Sequence, residues 1–71
     1  MEILFITSEY IELCNALKLS GAQLSGGMAK HVIREGLVTV DKHVEYRKKC
    51  KIRAGQIIGY SSHLIKISQK P

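Results

Sequence analysis

At Gly36 the spacing of apolar residues changes from steps of three and four to steps of two, and that switch confines the chain to a fold mixing helix with sheet. Before it, Ala29, Val32 and Ile33 form one stripe behind Ser25, whose hydroxyl is suited to capping a helix. After it, Val38 and Val40 alternate, Asp41-Lys42-His43 supplies a turn, and Val44 and Tyr46 share one face with Glu45 and Arg47 on the other. Ser25 to Gly36 therefore reads as a helix, and the segment after it as a β-hairpin.

Upstream, Glu2 to Ile6 is apolar and β-branched enough for a strand. Thr7 and Ser8 are placed to cap a first helix that begins near Glu9, with Tyr10, Leu13, Cys14 and Leu17 as its buried stripe and Lys18 near its negative end. Ser20 to Leu24 interrupts that period. Downstream, strands are expected at Cys50 to Ile52, Gln56 to Tyr60 and Leu64 to Ile67, separated by Ala54-Gly55 and Ser61-Ser62-His63. The expected architecture is α+β, two short helices packed on a small, mostly antiparallel sheet. A chain of 71 residues reads as a single domain, 1–71, burying about 60% of the surface its unfolded form exposes. Without a second lobe there is no interlobe cleft, and function is expected on an outer face.

The net charge is +5, and its distribution matters more than its size. Of the 11 Lys and Arg residues, Lys30, Arg34, Lys42, Arg47, Lys48, Lys49, Lys51 and Arg53 lie between Ser25 and Arg53, against only Glu35, Asp41 and Glu45 of the 6 acids. Such a face favours acidic partners, nucleic acid first and an anionic membrane surface second. No apolar run approaches the roughly 20 residues that span a bilayer. Ile3-Leu4-Phe5-Ile6 is too short for a signal-peptide core, so a cytoplasmic location is expected. Cys14 and Cys50, far apart and outside any Cys-x-x-Cys spacing, read as reduced, core-facing thiols. His31, His43 and His63 form no zinc set with them, and neither a metal nor another cofactor is expected. No nucleophile stands beside a base, and no Gly-rich loop ends in Lys-Ser/Thr, so catalysis is not expected.

The pattern Ser25-x-x-x-Ala29-x-x-Val32-Ile33-x-x-Gly36-x-Val38-x-Val40-Asp41 resembles, without a gap, the αL motif of the RNA-binding domain named after small-subunit ribosomal protein four. The usual form of that motif is Ser-Arg-x-x-Ala-x-x-Leu-Ile-x-x-Gly-x-Val-x-Val-Asn-Gly. Ser25-Gly26-Gly27-Met28-Ala29-Lys30 and Val44-Glu45-x-Arg47-Lys48-x-Cys50-Lys51-Ile52 are similar to its small stand-alone bacterial branch, typified by YbcJ and YaaA. The resemblance implies an L-shaped unit of two short helices and a hairpin that sets the exposed side of the second helix on structured RNA. Two positions depart from the motif. Gly26 replaces the Arg after the capping Ser, and Lys42 replaces the turn Gly.

Charge and resemblance together give the expected RNA-binding set. Lys30 and Arg34, four apart on a helix, repel each other unless an anion lies between them. Lys48, Lys49, Lys51 and Arg53 follow the motif, and Ser25, Gly26 and Gly27 leave first-turn N–H groups free to hold a phosphate. Arg47 is left out because Glu45 shares its strand face. With one Phe, three Tyr and no Trp, stacking on single-stranded bases is poorly supplied, and Tyr46 and Tyr60 read as core or rim. The expected function is non-enzymatic contact with the phosphate backbone of structured RNA, either ribosomal RNA or a ribosome-assembly intermediate. The alternative is an adaptor that docks on an acidic protein partner or a ribonucleoprotein.

Overall fold

The computed structural model describes residues 1–71. Its elements, in chain order, are strand β1 (Glu2–Ile6), strand β2 (Ile11–Glu12), helix α1 (Leu13–Leu19), helix α2 (Gly26–Arg34), and strands β3 (Val38–Val40), β4 (His43–Val44), β5 (Lys51–Ile52), β6 (Ile57–Tyr60) and β7 (His63–Gln69). Five strands form one sheet in the order β1-β7-β6-β3-β4, and β2 pairs with β5 in a separate two-stranded sheet. Every pairing is antiparallel except β1 with β7, which runs parallel with Ile3 beside Lys66. The α+β expectation of two helices on a mostly antiparallel sheet holds.

Period-two alternation divides the sheet into two faces. Ile6, Val38, Val40, Ile58, Ile65 and Ile67 point inward, where they meet Leu13, Ala16 and Leu17 of α1 and Ala29, Val32 and Ile33 of α2 in one buried cluster. Ile3, Phe5, Leu64 and Lys66 point outward and are exposed. On that outer face Gly59 leaves room for the Thr39 hydroxyl, which lies 2.6 Å from where a β-carbon on residue 59 would sit.

Helix α2 follows the sequence closely. The Ser25 hydroxyl accepts from the Met28 N–H at 3.1 Å. At the other end Gly36 adopts φ +76, its N–H donates to the Ile33 carbonyl, and the Leu37 N–H donates to that of Val32. These two bonds satisfy otherwise orphaned helix carbonyls, and the left-handed residue between them suits glycine. The hairpin turn places both Asp41 (φ 50) and Lys42 (φ 73) in the left-handed region, the geometry whose twist matches paired strands. Asp41 anchors the turn, because its carboxylate accepts from the Ile57 N–H at 3.0 Å and from the Gln56 amide at 3.2 Å.

Helix α1 departs from expectation. It begins at Leu13 rather than near Glu9, and neither Thr7 nor Ser8 caps it; the Ser8 hydroxyl donates instead to the Tyr10 carbonyl. The cause is tertiary. Ile11 and Glu12 pair with Ile52 and Lys51, and the first helical N–H groups, of Leu13 and Cys14, donate to the carbonyls of Cys50 and Lys48 at 2.9 and 3.0 Å. The helix starts where distant acceptors satisfy its orphaned donors. The expected strand at Cys50 to Ile52 is present as β5, but it belongs to this small pairing and not to the main sheet. β4 also ends at Val44, so Tyr46 and Arg47 lie beyond the strand that the alternation assigned to them. Cys14 is buried as expected, whereas Cys50 is only half-buried.

Candidate nucleic-acid interface

Helix α2 turns Ala29, Val32 and Ile33 into the core. A helix repeats its faces every three to four residues, so Gly27, Lys30 and Arg34 share the opposite side. Facing them across a concavity of about 1020 Å³ runs the segment Tyr46 to Lys51. Two covalently distant stretches thus form the walls of one open groove.

The second wall is fixed in place by its own backbone. The carbonyls of Lys48 and Cys50 cap α1, Lys51 pairs with Glu12, and Ile52 is fully buried. Within it, the Cys50 N–H donates to the Arg47 carbonyl at 3.1 Å and closes a turn. The lysine side chains therefore project from a segment whose main chain is tied down.

Arg47 and Glu45 make the single ion pair in the chain. The Arg47 guanidinium donates to both carboxylate oxygens at 3.0 and 3.1 Å, and the Arg47 N–H adds a third bond at 3.0 Å. Those side-chain and backbone bonds hold the Glu45 carboxyl at a pKa of about 2, and the same side-chain hydrogen bonds, followed by the Glu45 charge, raise that of Arg47 in return. Burial pushes the Cys50 thiol up, with the Glu45 charge adding to the effect. None of Lys30, Arg34, Lys48, Lys49 and Lys51 has a carboxylate within ion-pair distance. Their charges add over the groove and create a positive potential for an anion.

The structure brings Gly27, Lys30, Arg34, Lys48, Lys49 and Lys51 to this groove and leaves three expected residues outside its lining. Ser25 is occupied as the cap of α2, and Gly26 lies nearer the Lys18 side chain. Arg53 sits over the Tyr10 ring at 5.6 Å, with Lys51 over the same ring at 5.0 Å. Such contacts between a cation and a ring face are weakly attractive and restrict where the side chains point. Three groove residues were outside the expected set: Tyr46, Arg47, which the sequence set aside for its pairing with Glu45, and the half-buried Cys50. The alternation that put Tyr46 on the Val44 face hid the first of these, because the strand stops before reaching it.

The model of the S4 domain matches residues 4–68. The chain belongs to the S4 domain family. Within that family it is similar to the YbcJ proteins of Escherichia coli (strain K12) and Shigella flexneri, each 48% identical over 58 residues that make up 82% of this chain and 83% of theirs. The solution structure of YbcJ from E. coli, which revealed an αL motif involved in RNA binding, matches this S4 domain with a TM-score of 0.73. The two are 42% identical, and the match covers 96% of this chain and 87% of that one. The αL motif in this S4 domain runs from the Ser25 cap through the Asp41 turn, and its exposed helix side is one wall of the groove.

Proposed function

We propose that this protein binds structured RNA in the cytoplasm by its phosphate backbone, without catalysing a reaction, and that its targets are ribosomal RNA or a ribosome-assembly intermediate. The observation that carries the reading is the convergence of Lys30 and Arg34 with Lys48, Lys49 and Lys51 on one groove, none of them neutralised by a carboxylate. Each phosphate held there releases condensed counterions, a driving force that grows as salt falls. Membership of the S4 domain family and the likeness to YbcJ make RNA the favoured polymer. Gly27 serves by leaving the α2 wall open, since nothing lies within 4 Å of where its β-carbon would be. Ser25 and Gly26 contribute through the start of the helix, and Arg53 is the most peripheral member of the set.

The test is a salt titration of binding to folded ribosomal RNA fragments and to duplex DNA of matched length. RNA preference, with a log-log slope of about one unit per phosphate neutralised, supports the reading. The variant K48E/K49E/K51E should keep its fold, since all three side chains are exposed, and lose the binding. Unchanged affinity in that variant would sink the site assignment.

An adaptor role is favoured by a different surface, the outer sheet face, where Ile3, Phe5 and Leu64 are about half exposed. If the cellular partner is a protein, it should remain bound after nuclease treatment and be released by Phe5→Asp but not by K48E/K49E/K51E.

A further inference from the structure

Tyr46 is 65% exposed, yet its ring is held. Its Oη, Cε1 and Cζ atoms lie 3.1, 3.2 and 3.4 Å from where a β-carbon on Gly36 would sit, so one edge of the ring rests in a notch that only glycine leaves open. The residues on either side are also fixed. The Glu45 N–H donates to the Val38 carbonyl at 3.0 Å, and Arg47 is locked to Glu45 through three bonds. An aromatic ring fixed in this way loses little freedom when something packs on it.

The other aromatic residues are not available in the groove. The Tyr10 ring is covered by Lys51 and Arg53, Tyr60 packs against the core, and Phe5 lies on the outer sheet face. Tyr46 alone offers an open ring among the cations. A phosphate would use only the Tyr46 hydroxyl, not the ring face. Within a paired helix every base face is covered by its neighbours, whereas an unpaired nucleotide can be splayed out and stacked on an aromatic side chain.

We infer that the preferred ligand is an RNA helix interrupted by an unpaired nucleotide, whose base stacks on Tyr46 while Lys30, Arg34, Lys48 and Lys49 hold the flanking phosphates. This rests on the RNA reading above and narrows it to a substrate class. Tyr46 is thereby a specificity-determining residue, and it discriminates through stacking, which tolerates any base.

The probe is an RNA hairpin carrying 2-aminopurine as a single-nucleotide bulge, compared with the fully paired hairpin of the same stem. The wild-type protein should bind the bulged RNA about tenfold more tightly, within the range that base stacking supplies, and quench the 2-aminopurine emission. Y46F should retain both effects. Y46A should lose both the preference and the quenching. Equal wild-type affinity for the two hairpins, or a preference that survives in Y46A, overturns this inference and leaves the RNA reading standing. Failure to bind either hairpin better than duplex DNA overturns both.

Discussion

The phenol of Tyr46 occupies the space that a side chain on Gly36 would fill, its oxygen 3.1 Å from the missing β-carbon. The same glycine holds φ +76 at the end of α2. Residue 36 thus closes the helix and seats a groove residue at once. Gly36→Ala is expected to cost about 1–2 kcal/mol from the left-handed backbone and to push the ring out of its notch. Urea denaturation checks the first effect, and the bulged-hairpin preference the second.

Lys42 stands at φ 73 in the two-residue hairpin turn, where the usual motif carries glycine. Lys42→Gly removes the steric cost of that conformation and adds back some unfolded-chain entropy. The net expectation is a gain of up to about 1 kcal/mol, read as a higher urea midpoint. Lys42 does not line the basic groove, so RNA affinity should change little.

Glu45 titrates at about 2 instead of 4.5 because Arg47 bonds it through both its side chain and its backbone. The stabilisation is fully present above about pH 4.5 and is lost as the pH falls through about 2. Wild type should therefore be more stable than Glu45→Gln at neutral pH, and the gap should close toward pH 2. Arg47 is 76% exposed, and solvent screening limits that gap to about 1 kcal/mol or less. In binding, the same variant frees a cation at the groove, and the RNA salt slope should steepen by about one unit.

Lys49 and Arg53 are near neighbours in sequence but occupy different places. Lys49 lines the groove, and Arg53 lies over Tyr10 outside it. Lys49→Ala should reduce the salt slope of RNA binding by about one unit, and Arg53→Ala by clearly less. Equal reductions would mean that the RNA path continues past the groove onto the Tyr10 side.

The parts of the fold legible in the sequence were those decided within a few residues. The Ser25 cap, the Ala29, Val32 and Ile33 stripe, the Gly36 stop and the Asp41 turn depend on local backbone preference and hydrophobic period, and each stands where the sequence placed it, except that His43 pairs with Val40 and shortens the turn to Asp41 and Lys42. The common exposure of Lys30 and Arg34 followed from helix geometry in the same way. The start of α1 could not be read locally, because its first N–H groups are satisfied by carbonyls of Lys48 and Cys50 far along the chain. That one long-range contact also decides where the basic segment lies, and so which cations face α2 and which, like Arg53, turn toward Tyr10. Tyr46 illustrates the same limit, since alternation assigned it to a strand face and only the packing against Gly36 brought its ring into the groove. Sequence alone determined the helix, the hairpin and the excess of positive charge. The groove exists because tertiary hydrogen bonds bring two distant segments face to face.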